Sequence, residues 1–186
     1  MSLTETVTIP LGFIAPAFEL LNVKTGEMES FQDHRGSKAT VVMFICNHCP
    51  FVVHVREKLV ALANHFMPLG VGFIAISSND IVTYPADSPE LMRELAEQMN
   101  FPFPYFYDES QEVAKAYSAV CTPDIAVFNE NDECVYRGRL DDSTPGNGKP
   151  VTGADLTKCL ETLLRGGEIS SAQYPSMGCN IKWKDN

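Results

Sequence analysis

Two short apolar runs dominate the pattern of the chain, residues 41–45 (Val-Val-Met-Phe-Ile) and residues 71–77. Runs of this length, rich in β-branched and aromatic side chains, predict strands buried on both faces. Between them the period changes. Val52, Val55, Leu59, Leu62 and Phe66 recur at threes and fours behind Pro50, whose missing N–H suits the first turn of a helix, and the stripe stops near residues 68–70. A strand, a helix and a strand in this succession predict a right-handed βαβ unit with parallel strands.

Around this unit the pattern is weaker. Residues 1–16 carry Pro10, Gly12 and Pro16 with little periodicity and are expected to lie as an arm on the surface. Residues 18–21 and 27–31 flank Lys24-Thr25-Gly26, which predicts an edge hairpin with Gly26 at positive φ. Residues 79–87 are expected to form a long loop. Ser88 then caps a helix that has Pro89 at its first position and an inward stripe of Leu91, Met92, Leu95, Ala96 and Met99. The proline-broken aromatic stretch 101–107 suits a short edge strand, and residues 110–117 a short helix. Residues 121–128 and 133–139, joined by a polar turn at 129–132, read as a β-hairpin. A loop over 141–150 leads to a last helix over 152–165, with Leu156, Leu160, Leu163 and Leu164 inward and Gly166-Gly167 ending it. Residues 168–186 form a tail in which Tyr174, Pro175 and Trp183 are expected to act as apolar anchors.

Composition narrows the class. A chain of 186 residues, 45% hydrophobic and 10% aromatic, can bury one substantial core, so a single domain over 1–186 is expected. The formal charge of -10 and the absence of a basic run speak against nucleic acid or an anionic membrane as partner. No stretch approaches the roughly 18 apolar residues of a membrane span. The expectation is a soluble cytoplasmic protein. Six unevenly spaced cysteines are too sparse for a disulfide scaffold.

The chemistry therefore concentrates where the first buried strand meets the long helix, at Cys46-Asn47-His48-Cys49-Pro50. That order puts a thiol at the positive end of a helix dipole, which lowers its pKa and makes a nucleophile. Disulfide exchange also needs a second thiol, and Cys46 and Cys49 supply the pair if their Cα atoms come within about 7 Å. His48 is a candidate to tune the thiolate. The alternatives are inert packing at a strand end and a zinc or copper site. The latter would need Cys46, Cys49 and two further ligands such as His48 or Cys121, and no second pair at zinc-ribbon spacing is present. Cys134 and Cys159 fall at core positions. His54 shares a helix face with Lys58 and His65 and is expected to be solvated, while His34 lies in a loop without a signal. Asp141 and Asp142 are read as loop caps, with a role as general base the alternative.

Four stretches carry a resemblance: residues 44–50, 121–124 (Cys-Thr-Pro-Asp), 137–142 (Arg-Gly-Arg-Leu-Asp-Asp) and 178–183 (Gly-Cys-Asn-Ile-Lys-Trp). With the element order, they resemble the thioredoxin fold in its redoxin form. The specific likeness is to the peroxiredoxin-like group related to alkyl hydroperoxide reductase and thiol-specific antioxidant proteins. The resemblance implies an α/β fold with a central mixed sheet of about five strands, helices on both faces and an N-terminal β-hairpin extension. It also implies that Cys49, aligned with the first thioredoxin cysteine, attacks, and that Cys46 resolves. Thr122-Pro123 would be cis and would offer its preceding backbone to an extended substrate segment. Cys179 and Cys121 are further candidate resolving thiols. No metal or organic cofactor is implied. Electrons would come from an external thiol reductant, and the substrate would be a thiol or disulfide protein or small molecule.

Two departures from that pattern stand out. A peroxiredoxin carries Pro-x-x-x-Thr before its cysteine and an arginine near the strand that here begins at Thr122, and neither is present. Thioredoxins bury an aspartate on the strand as proton acceptor, and Met43 occupies that place. Thiol–disulfide oxidoreduction is the expected activity. Its rivals are an antioxidant thiol peroxidase with Cys49 peroxidatic, a metal carrier, and a binding module with vestigial cysteines.

Overall fold

The structure, a computed structural model, describes residues 3–185. Ten strands and five α-helices follow in the order β1 (Leu3–Glu5), β2 (Glu19–Asn22), β3 (Met28–Ser30), α1 (Phe31–His34), β4 (Ala39–Phe44), α2 (Pro50–Phe66), β5 (Val71–Ser77), α3 (Pro89–Gln98), β6 (Tyr105–Tyr107), α4 (Glu112–Ala116), β7 (Cys121–Thr122), β8 (Asp124–Asn129), β9 (Cys134–Gly138), α5 (Ala154–Leu164) and β10 (Met177–Asn180). Seven strands form one mixed sheet in the order β3-β2-β6-β5-β4-β8-β9. The pairs β4–β5 and β5–β6 are parallel and the others antiparallel. This is the thioredoxin-like α/β arrangement, a mixed sheet covered on both faces.

The alternation of side chains along a strand explains why β4 is apolar throughout. Val41 and Met43 point into the core beneath α2, α3 and α5, with Val52, Leu59, Met92 and Leu160. Val42 and Phe44 point the other way, onto Phe18, Phe31, Ala114 and Tyr117. Both faces are thus dry, and every residue of the strand is buried. The stripe on α2 is buried as its spacing requires, with Val52, Val55, Leu59, Leu62 and Phe66 all inward. Gly26 turns the β2–β3 hairpin at φ 80°.

Several expectations change. The sheet has seven strands because the N-terminal hairpin is an integral part of it: Leu21 pairs with Tyr107, which places β6 inside the sheet and not at its edge. The prolines of that stretch, Pro102 and Pro104, precede the strand and leave its ladder intact. The arm over 1–16 contains β1 and a bridge from Ile14 to Glu133. On α3, Met92 and Ala96 are buried while Leu91 is exposed. Tyr174 and Trp183 are also exposed. The tail is held instead by buried Ile181 and by backbone bonds, including Ile181 N to Val120 O at 2.9 Å and Asp80 N to Lys182 O at 2.8 Å.

A second, three-stranded sheet has the order β1-β10-β7. It lies where the chain leaves β7 at Thr122, turns through the cis peptide to Pro123 and enters β8. Asp141 acts as a cap: its carboxylate accepts from the backbone amides of Ser143, Thr152 and Gly153 at 2.6–2.8 Å and fixes the approach to α5.

Candidate active site: three thiols around Thr122

Cys49 is the N-cap residue of α2, directly before Pro50, and Cys46 stands just past the end of β4. The two sulfurs meet the same residue of β7. The Cys49 thiol donates to the Thr122 carbonyl at 3.1 Å, and the Cys46 Sγ lies 3.5 Å from the Thr122 hydroxyl. Cys179 is the register partner of Thr122 across the β7–β10 pair, and its thiol hydrogen-bonds with Cys49. The fold therefore brings Cys46, Cys49 and Cys179 together. All three are buried, and Cys49 has no exposed surface.

Sharing of protons sets the electrostatics. As a thiolate, Cys49 accepts from the Cys46 thiol, which is the largest influence on it; burial opposes ionisation, and further bonds from Cys179, Thr122 and the Val52 amide favour it. The balance takes Cys49 down to about 4. Cys46 moves the opposite way, because it is the donor, is buried and faces the Asp87 carboxylate. Burial, then the bond to Cys49, pushes Cys179 up to about 11. Hydrogen bonding and burial thus separate Cys49, held low, from Cys46 and Cys179, held high.

A titration consequence follows. A thiol held low in the folded state leaves the unfolded chain with more bound protons between about pH 4 and the ordinary thiol value near 8.5, so stability rises with pH across that window and is lost on acidification. Thermal melts of the reduced protein should show the wild type losing its advantage over Cys49→Ser as pH falls from about 8.5 to about 4. Parallel pH curves for the two proteins would contradict the assignment.

His48, expected to tune Cys49, turns to Asp87, with a ring nitrogen within 4.8 Å of the Cys46 sulfur. Its ring stacks on Tyr84, with centroids 5.5 Å apart, and Nδ1 lies 2.7 Å from Asp87 Oδ2, an ion-pair contact without hydrogen-bond alignment. Asp87 is fully buried; it also accepts from the Asn47 amide at 2.8 Å and from Asn79 Nδ2 at 2.8 Å. These bonds fix the Asn47-His48 loop, and Tyr105 Oη adds a bond to Asn47 Oδ1 at 3.1 Å. Asp87 carries no local sequence signal. It closes a 3₁₀ turn, Pro85–Asp87, inside the stretch expected to be plain loop.

Ligand atoms of Cys46, His48 and Asp87 all lie within 4.8 Å of one another. Both carboxylate oxygens of Asp87 are engaged by amide donors and Cys46 holds its proton, while neither ring nitrogen of His48 has a hydrogen-bond partner among the described residues. Cys121 is not brought to Cys49. Its side chain projects from the face of β7 opposite to Thr122 and lies 3.7 Å from the Thr6 hydroxyl. Cys134 and Cys159 are buried in the core. His54 is half-buried and bonds the Ser143 hydroxyl at 2.7 Å, in place of the solvated setting expected, because the capped loop from Asp141 folds onto α2. His34 ends α1 and pairs with Glu29.

The model of the AhpC/TSA family matches residues 11–137, more than half of the chain and all of β4, Cys46, Cys49 and the Thr122-Pro123 turn. The protein belongs to the AhpC/TSA family. No curated protein matches the sequence. Among solved structures, this AhpC/TSA member is similar to a conserved Geobacillus kaustophilus protein described as uncharacterized, at 54% identity and a TM-score of 0.98, covering 100% of this chain and 98% of that one. It is similar to a Sinorhizobium meliloti protein at 40% identity and a TM-score of 0.96, covering 98% and 100%. The thioredoxin domain of a thiol-disulfide oxidoreductase from Bacteroides vulgatus shares the fold at 18% identity and a TM-score of 0.64, over 84% of this chain and 99% of that domain. The family match ends at Arg137, so β10 and Cys179 lie beyond the part that defines AhpC/TSA membership.

Proposed function

We propose that the protein is a thiol–disulfide oxidoreductase in which Cys49 attacks and Cys46 resolves. The observation that carries this reading is that both sulfurs converge on Thr122, Cys49 at 3.1 Å from its carbonyl and Cys46 at 3.5 Å from its hydroxyl, with Cys49 the N-cap residue of α2. The Cys49 thiolate attacks one sulfur of a substrate disulfide. That S–S bond breaks, a mixed disulfide forms, and the departing thiolate takes up a proton. Cys46 then gives up its proton and attacks the Cys49 sulfur, closing the Cys46–Cys49 disulfide and expelling the second substrate thiol. The substrate disulfide gains two electrons and the protein dithiol loses them. An external thiol returns the protein to its dithiol form.

The second step is the demanding one, since Cys46 holds its proton tightly. Asp87 faces Cys46 from within 4.8 Å and is the group placed to receive that proton, with His48 Nδ1 2.7 Å from its Oδ2. Among the described residues, the groups that hold the Cys49 thiolate are thiols, Thr122 and the Val52 amide. None is a guanidinium of the kind that orients a peroxide, which favours disulfide exchange over peroxidase chemistry.

The test uses hydroxyethyl disulfide in stoichiometric amount. The reduced wild type is expected to release both mercaptoethanol equivalents. Asp87→Asn should release the first at the wild-type rate and the second about 10²-fold more slowly, with the deficit shrinking as pH rises and free hydroxide takes the proton. Equal rates for both steps in Asp87→Asn would remove the aspartate from the mechanism. Failure of the wild type to release any thiol would remove the proposed function.

A further inference from the structure

The edge that an extended substrate would use is already filled. Strand β10 lies antiparallel on β7, with Cys179 opposite Thr122 and Asn180 opposite Cys121. It is not a loose flap. Its other edge is paired to β1 through Leu3↔Cys179, Thr4↔Gly178 and Glu5↔Met177. The Ser176 hydroxyl bonds Gly138 O at 2.7 Å on one side, and Lys182 N bonds Asn79 Oδ1 at 2.8 Å on the other. The approach to β7 is very close: a Cβ built on Gly178 would stand 1.9 Å from the Thr122 carbonyl oxygen, so glycine is required there. That carbonyl is the one the Cys49 thiol bonds.

Strand β10 thus presents a cysteine to Cys49 as a bound peptide substrate would. Resting on the exchange reading above, we propose that Cys179 is a third redox thiol that takes over the disulfide from Cys46, and that β10 confines direct exchange at Cys49 to small-molecule disulfides. The transfer balances without an outside reagent. The Cys179 thiolate attacks the Cys49 sulfur of the Cys46–Cys49 disulfide, the Cys49–Cys179 bond forms, and Cys46 leaves as the thiolate and takes up the proton that Cys179 released. No net oxidation occurs. Substrate size is selected because a protein disulfide must displace a strand hydrogen-bonded along both edges, whereas a small disulfide has no extended segment that needs the edge of β7.

The decisive variant is Cys46→Ser, treated with hydroxyethyl disulfide and mapped by mass spectrometry. It is expected to release both mercaptoethanol equivalents and to end with a Cys49–Cys179 disulfide, while Cys46→Ser/Cys179→Ser stops after one equivalent with the mixed disulfide on Cys49. If Cys46→Ser also stops at the mixed disulfide, the role of Cys179 is overturned although exchange at Cys49 stands. If Cys49 fails to react in every protein, the exchange reading itself falls and this inference with it. For size selection, insulin serves as the protein disulfide. Gly178→Ala should raise the ratio of insulin to hydroxyethyl disulfide reactivity by about tenfold or more, as the fraction of molecules with β10 displaced increases. Ser176→Ala, a milder change that removes one hydrogen bond, should move the ratio in the same direction. A ratio that stays at the wild-type value in both folded variants, or wild-type insulin reactivity equal to that of the small probe, overturns the size selection.

Discussion

Replacing Cys49 by serine is expected to reduce the rate of disulfide exchange by at least about 10⁴-fold. A serine hydroxyl at the same N-cap position would meet the same amide and the same Thr122 carbonyl, but it would not ionise in the range where the thiol does. The substitution changes little volume in a site with no exposed surface, so the fold should survive and the loss should be chemical. A second readout separates this from general damage. Cys46 is held protonated first of all by its bond to Cys49. In Cys49→Ser that bond no longer ends on a thiolate, and the Cys46 thiol should titrate closer to the ordinary cysteine range, as followed by ultraviolet thiolate absorbance. A variant that keeps more than about a hundredth of wild-type exchange would move the nucleophile to another sulfur.

The largest loss of stability is expected from Asp124→Ala. Asp124 and Arg137 form an ion pair at 2.8 Å in which both side chains are almost wholly buried. Arg137 is tied further to Tyr117 O and to Ser118 O at 3.0 Å. Burial outweighs the pull of Arg137 and leaves the Asp124 carboxyl up at about 6. The pair is thus close to balance, and its value lies in being complete. Removing the carboxylate leaves a guanidinium buried with only carbonyl acceptors, which costs about 3–5 kcal/mol. For a chain of this size that corresponds to a fall in Tm of roughly 6–20 °C. Substituting Arg137 by methionine together with Asp124→Ala should recover part of the loss, since no buried charge remains. A melt of Asp124→Ala within about 2 °C of wild type would show that the pair is not confined as its burial implies.

That pair also joins two of the four stretches behind the family resemblance. The stretches 121–124 and 137–142 lie at the same end of one hairpin, and Asp124 and Arg137 join them across β8 and β9. The second stretch also supplies Asp141, the cap of the loop before α5. The parts legible from sequence were those whose causes are local. A buried strand, a proline-started helix and a second buried strand declare themselves within about forty residues by periodicity alone. The cysteine pair at their junction was legible for the same reason.

What escaped is non-local. Strands β1, β7 and β10 have two to four residues each, too few for any period to appear, and they exist because of one another. Met177-Gly178-Cys179-Asn180 shows no alternation of apolar and polar positions. Asp87 was hidden in a stretch of loop character, and only the fold carries its carboxylate beneath Asn47 and beside Cys46. The sequence did register that Met43 stands where a buried acid would be expected. It could not say that an acid arrives from the turn at residues 85–87.

The lacing of β1 to β10 to β7 bears on how the molecule is made. The ribosome delivers β4, Cys46, Cys49 and α2 well before residues 177–180. Until β10 is made, then, the sulfur at the head of α2 lacks that cover, and a nascent chain is open to capture by any thiol-reactive species around it. Closure of the last strand ends that period of vulnerability, making folding itself the event that matures the reactivity of the finished protein.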